Sequence, residues 1–155
     1  MRRTVKTGII GCGLMGREFA SAAARWVHLE EDIPSPEIVG VCSRTLSSTA
    51  WFTRNIPTVR TAVTDYRELL ADPEIELIYC AVPHNLHEGI YTDIIAAGKH
   101  LLGEKPFGMD RAQNDAILAS QGLKTEHYAS VLKFTGGQLD TIWAYHKERG
   151  LIKLG

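Results

Sequence analysis

The sequence predicts an α/β protein built on a doubly wound parallel sheet, and three observations carry that prediction. Short apolar runs alternate with stretches of helical periodicity along the chain, as βαβ units require. The run Glu37 to Cys42 is almost continuously apolar, as expected for a strand buried on both faces. A glycine turn, Gly11 to Gly16, joins the first apolar run directly to an alanine-rich stretch, which is a strand-to-helix connection. Right-handed crossovers then follow from the chirality of such units.

Taken in order, Val5 to Ile10 reads as the first strand and Leu14 to Trp26 as the first helix, with Phe19, Ala22, Ala23 and Trp26 at helical spacing. The acidic, proline-bounded stretch from His28 to Pro36 is expected to be a surface loop. Strand two is Glu37 to Cys42, and a helix from Leu46 to Arg54 follows Ser43-Arg44-Thr45. A short third strand is expected near Val59, then a helix from Asp65 to Ala71 with Thr64 or Asp65 as N-cap. Asp72-Pro73 turns the chain into a fourth strand, Leu77 to Val82, which Pro83 ends. A helix from His87 to Ala97 is closed by Gly98, and His100 to Gly103 forms strand five. Beyond it are expected a helix from Asp110 to Gln121, a strand from Tyr128 to Lys133 and a helix from Gln138 to Arg149.

Size and composition narrow the function. One domain is the natural count for 155 residues, and 45% apolar with 23% charged residues is ordinary for a globular protein. A net charge of -1 gives no electrostatic reason to expect nucleic acid or an anionic membrane as partner. No segment approaches the ~18 apolar residues of a membrane span. The basic start Met1-Arg2-Arg3 is not followed by a signal-peptide core, so the cytoplasm is the expected compartment. Cys12, Cys42 and Cys80 are widely spaced and read as small buried hydrophobes. His84 and His87 lack further ligands at suitable spacing, so no metal site is expected.

The glycine turn carries the chemistry. Gly11-Cys12-Gly13-Leu14-Met15-Gly16 has the GxGxxG spacing of a dinucleotide-binding, Rossmann-like unit. Gly11 permits the tight turn, Gly13 leaves the backbone open to a diphosphate, and Gly16 lets the helix lie close to the sheet. The helix N-terminus then offers free N–H groups. Four features fall at strand C-termini, where ligands bind in such sheets: this turn, Ser43-Arg44, Ala81-Val82-Pro83-His84 with His87, and Glu104-Lys105-Pro106. At the end of strand two stands Ser43 instead of an acid, followed by Arg44. A hydroxyl beside a guanidinium suits a ribose 2′-phosphate, so NADP is expected in preference to NAD. The alternative for Arg44 is a solvated loop cation, and for Lys105 a surface salt bridge.

These residues make the chain resemble the N-terminal half of Gfo/Idh/MocA-family oxidoreductases, the group of glucose–fructose oxidoreductase and inositol dehydrogenase. The resemblance rests on the glycine turn, Ser43-Arg44, Asp72-Pro73, Ile78 to Pro83, and Pro83 followed by His87 in a Pro-x-x-x-His step. It extends through Ala97-Gly98-Lys99-His100-Leu101-Leu102-Gly103-Glu104-Lys105-Pro106. It implies that Lys105 binds or polarises the substrate oxygen beside the nicotinamide, with Glu104 tuning it. A cis bond before Pro106 is one way of aiming Lys105 inward, and His84 departs from the asparagine common in the family.

The resemblance further implies residues 1–150 as a dinucleotide-binding domain and 151–155 as the start of a second domain, carrying substrate pocket and acid–base pair, that the chain does not include. The expected activity is hydride transfer to or from a sugar, inositol or related polyol, with substrate bound only alongside that second domain. The 155-residue chain by itself is expected to bind cofactor with little turnover. His146 is read as a packing residue. Two alternatives stay open. One is a non-catalytic NADP-binding sensing or interaction module, whose free face is covered by a partner or by self-association as a homo-oligomer. The other is a biliverdin-reductase-like reductase on the same fold.

Overall fold

The computed structural model describes residues 3–28, 33–120 and 122. Five strands form one parallel sheet: β1 (Thr4–Ile10), β2 (Ser35–Cys42), β3 (Thr61–Val63), β4 (Leu77–Cys80) and β5 (His100–Gly103), in the order β3-β2-β1-β4-β5. Five helices connect or follow them: α1 (Leu14–Ala24), α2 (Leu46–Asn55), α3 (Arg67–Ala71), α4 (His87–Ala96) and α5 (Arg111–Ser120). The chain winds outward from β1 to β3, crosses back to β4, and winds outward again. The winding reverses between β1 and β4, which opens a crevice at their C-terminal ends.

Each face of the sheet has its own core. Ile9, Ile38, Val41 and Tyr79 pack with Ala20 of α1 and Phe52 of α2. On the other face Ile10, Val39, Cys42, Ile78 and Cys80 pack with Leu69 of α3, Ile90, Tyr91 and Ile94 of α4, and Ile117 of α5. Neighbours along β1 therefore serve opposite faces, which is why the strands read as continuous apolar runs. In β2, Ile38 and Val41 share a face although three residues apart. A register shift opposite Thr7 and Gly8 inserts Val39 as an extra residue, and its carbonyl accepts from the Arg60 N–H at 2.9 Å.

Several boundaries differ from the sequence expectation, each for a local reason. β2 begins at Ser35 and contains Pro36, because β3 pairs only with Gly40 to Cys42 and leaves that side of Pro36 unpaired. β3 lies at Thr61–Val63; Val59 closes a turn on the Ile56 carbonyl and packs against the core, which explains its apolar character. β4 stops at Cys80, where both its neighbours are ending. The α-helical part of α1 stops at Ala24, and a 3₁₀ turn continues to His28. α3 starts at Arg67, with Asp65 Oδ1 accepting from its N–H at 3.0 Å.

α5 starts from a reciprocal pair. Asp110 Oδ1 accepts from the Gln113 N–H, and Gln113 Oε1 from the Met109 N–H, both at 2.9 Å. Gly98 ends α4 at φ +72°, as the sequence predicts. The expected strand at 128–133, the helix at 138–149 with His146, residues 151–155 and the Glu30-Glu31-Asp32 part of the loop lie outside the described residues. No helix among the described residues is long and apolar enough to cross a membrane.

Two predictions follow from these cores. Phe52 is fully buried between α2 and the sheet, so Phe52→Ala should lower unfolding free energy by about 3–5 kcal/mol in urea titration; a loss near zero would contradict that packing. Cys12, Cys42 and Cys80 are buried, and burial pushes their thiols up to about 12, 11 and 12. A thiol reagent at mildly alkaline pH should label none of them until the protein is unfolded.

Candidate active site

Where β1 ends, Gly11 turns at φ +106°, and its N–H donates to the Cys42 carbonyl at 2.9 Å. A Cβ at Gly11 would lie 2.2 Å from the Ala81 carbonyl oxygen, so only glycine fits against the end of β4. A Cβ at Gly16 would lie 2.3 Å from the Gly11 carbonyl oxygen, which shows how tightly α1 sits on the turn. Gly13 is the opposite case: a Cβ there would meet nothing within 4 Å. The Arg17 N–H donates to the Gly13 carbonyl at 3.2 Å, and Gly13 provides no side-chain cap. The N–H groups of Leu14, Met15 and Gly16 thus precede the helical ladder. Cys12 is buried with its Sγ 3.4 Å from the Cys42 carbonyl, so only its backbone belongs to the turn's outer surface. Open space over Gly13 beside first-turn amides fits a diphosphate.

The second element lies at the end of β2. The Ser43 N–H donates to the Val63 carbonyl at 3.1 Å, which fixes the start of the loop. Arg44 is exposed. Immediately after it, the Thr45 hydroxyl lies 3.1 Å from that of Ser47 and 2.8 Å from that of Ser48. The sequence reading did not include these three hydroxyls.

The third element joins the ends of β4 and β5 to the glycine turn. Met15, Ala81, Val82, His84, Glu104 and Lys105 line a cavity of about 140 Å³. Lys105 is exposed, precedes a cis bond to Pro106, and takes part in no ion pair among the described residues. Its ammonium is therefore available to a ligand. Glu104 is anchored: its Oε1 accepts from the Tyr79 hydroxyl at 2.6 Å, and Tyr79 stacks on Phe19 at 4.3 Å. Burial first, and then the bond to Glu104, hold the Tyr79 hydroxyl well above its usual ionisation range. Tyr79 therefore acts as a donor that fixes the carboxylate.

Among the expected cofactor contacts, His87 is not one of the residues that line this cavity. His87 is fully buried, with Nδ1 2.7 Å from the Pro106 carbonyl oxygen and Nε2 3.1 Å from that of Val82. Both ring nitrogens thus lie against backbone carbonyls of segments that flank the cavity. Tyr91 is a residue the sequence reading missed. Its ring stacks on His87 at 4.6 Å and its hydroxyl donates to the Glu104 carbonyl at 2.9 Å. A Cβ at Gly103 would lie 2.7 Å from that ring, so glycine at this position leaves room for the tyrosine. Tyr79 and Tyr91 were hidden because each sits in an apolar run and reads as core. Among the described residues no group of three or more His, Cys, Asp or Glu side chains is arranged to hold a metal ion.

The profile of an oxidoreductase family with an NAD-binding Rossmann fold matches residues 5–132. The chain belongs to the Gfo/Idh/MocA oxidoreductase family. Among curated relatives of this family, the trans-1,2-dihydrobenzene-1,2-diol dehydrogenase of Mus musculus is 32% identical over 126 residues, covering 77% of this chain and 35% of that protein. The Sus scrofa enzyme of the same name is 32% identical over 124 residues, with the same coverage. The chain thus spans about a third of the length of the curated relatives it matches. Among solved structures, a levoglucosan dehydrogenase in complex with NADH is similar at TM-score 0.72 and 23% identity, over 83% of this chain and 36% of that one. A variant 3-ketoreductase from Actinomadura kijaniata in complex with TDP-benzene and NADP gives 0.63 and 26%, over 78% and 37%. For this Gfo/Idh/MocA chain the Rossmann fold and the oxidoreductase family are established.

Tyr79→Phe removes the donor to a partly buried carboxylate. Stability should fall by about 1–2 kcal/mol in denaturant titration. An unchanged midpoint would mean that the Tyr79–Glu104 bond contributes nothing in solution.

Proposed function

We propose that this chain is the nucleotide-binding half of an NADP-preferring oxidoreductase that interconverts a secondary alcohol and a carbonyl on a sugar, inositol, dihydrodiol or related polyol. The observation that carries the proposal is the shared cavity: Lys105 and Glu104 line the same small space as Met15 of the glycine turn. The names of the relatives, which act on a dihydrodiol or an anhydrosugar, support the polyol class.

The chemistry that a nicotinamide would supply when bound is acceptance or donation of the hydride. The chain's own residues do the rest. The first-turn amides of α1 bind the diphosphate, and the space over Gly13 admits it. Ser43, exposed Arg44 and the hydroxyls of Thr45, Ser47 and Ser48 bind a 2′-phosphate, and no acidic residue occurs in the segment 43–48 itself. Lys105 holds the substrate oxygen and stabilises the negative charge on it, which develops as the hydroxyl loses its proton in oxidation or as the carbonyl carbon receives hydride in reduction. Glu104, fixed by Tyr79, sets the field at that ammonium.

A fluorescence titration of the purified chain with NADPH and NADH tests this reading. NADPH should bind more tightly, and Ser43→Asp should weaken NADPH roughly tenfold or more, about 1.4 kcal/mol, while sparing NADH. Equal loss for both nucleotides would contradict the 2′-phosphate assignment. Absence of binding by either would contradict the function.

A further inference from the structure

The protein uses only half of the Glu104 carboxylate. Its Oε1 accepts from the Tyr79 hydroxyl at 2.6 Å, and its Oε2 has no hydrogen-bond partner among the described residues. Nor does Glu104 pair with Lys105, although both line the same cavity. The residue is held at both ends. Its N–H donates to the Cys80 carbonyl at 3.1 Å, its own carbonyl accepts from the Tyr91 hydroxyl at 2.9 Å, and its side chain is fixed by Tyr79. The spare oxygen is thus a preorganised acceptor without a donor.

The space beside it suits one small ring. The cavity measures about 140 Å³, and a protein cavity of about 150 Å³ accommodates benzene. Met15, Ala81 and Val82 are apolar lining for such a ring, and Glu104 and Lys105 are complementary polar groups. The Lys105 ammonium only donates, and the Glu104 carboxylate only accepts. A ligand with an N–H donor on a flat ring therefore meets Glu104, and one with an oxygen acceptor meets Lys105.

We propose that Glu104 is a specificity-determining residue whose spare oxygen accepts from the carboxamide amino group of a nicotinamide ring, leaving Lys105 to the substrate oxygen. The inference rests on the dinucleotide reading and deepens it. Turning that ring half a revolution about its bond to the ribose exchanges the face offered to a substrate. An anchor on the carboxamide therefore selects the face. The rival donor for the same oxygen is a substrate hydroxyl. The carboxamide is preferred because Met15 of the glycine turn, where the diphosphate belongs, borders the cavity.

The contact is read by comparing NADPH with reduced 3-acetylpyridine adenine dinucleotide phosphate, in which a methyl replaces the amino group. In calorimetric titration the purified wild-type chain should bind the analogue about tenfold more weakly, as when a bond to a charged acceptor is left unmade. Glu104→Ala should bind the two alike. Tyr79→Phe removes the strut and keeps the acceptor, so it should retain a preference for NADPH. Should Glu104→Ala fail to fold, Glu104→Gln has the same size and offers a neutral acceptor about half as strong. It should cut the preference to about threefold.

A tenfold preference persisting in the Glu104 variants would assign the carboxamide to another acceptor and overturn the proposal. Loss of the preference in Tyr79→Phe to the same degree as in Glu104→Ala would reduce Glu104 to a structural role and overturn it too. Equal affinities in the wild type would also overturn it, while leaving the dinucleotide reading intact. Failure of NADPH itself to bind would sink that reading and this inference together.

Discussion

Where β1 gives way to α1, main chain presses on main chain. The Gly11 turn lies against the Ala81 carbonyl at the end of β4, and the first turn of α1 lies against the Gly11 carbonyl in turn. No side chain can be inserted at either contact without moving a strand. That double approach keeps the first-turn amides of α1 beside the exits of β4 and β5. The cavity is a consequence of the same crowding, since its lining comes from Met15 on α1, from the residues just past β4, and from Glu104 and Lys105 just past β5.

Around this backbone contact the protein uses aromatic side chains as struts. Tyr79 reaches from β4 to the Glu104 carboxylate while stacked on Phe19 of α1, which ties the first helix to the far wall. On the opposite face of the sheet Tyr91 reaches the Glu104 backbone and supports His87, which in turn meets the carbonyls of Val82 and Pro106. Glu104 is thus held by a tyrosine from each core, by its side chain on one face and by its carbonyl on the other. Lys105, next to it, is left without a protein counter-ion among the described residues. Rigid support beneath a free ammonium is what a site needs if charge is to be stabilised without reorganisation.

The parts of this arrangement that were legible in the sequence are those where a backbone requirement forces a residue type. Gly11 and Gly16 have no substitute at their contacts, Gly98 closes α4 from the left-handed region, and β1 and β2 show apolar runs because both faces are covered. What the sequence concealed is side-chain direction. Val59 looks like a strand residue because it packs on the core, while the ladder itself forms at Thr61–Val63. Tyr79 and Tyr91 look like core, and most of each ring is core; only the hydroxyl at the tip is part of the site. His87, four residues after Pro83, reads from the sequence as a polar ligand contact, and its burial in the first turn of α4 against two carbonyls was not visible there. Periodicity reports which face a residue occupies, and is silent about what its polar end touches.

Gly13 offers the most direct test that this turn is a ligand cradle and not merely a tight connection. It sits at φ −81°, ψ −156°, backbone that other residues adopt, and a Cβ there would meet no protein atom within 4 Å. Gly13→Val should therefore leave the thermal midpoint nearly unchanged while filling the space the diphosphate needs. Calorimetric titration with NADPH should show binding abolished in a variant that unfolds like the wild type. A Gly13→Val protein that binds NADPH as tightly as the wild type would contradict the cradle.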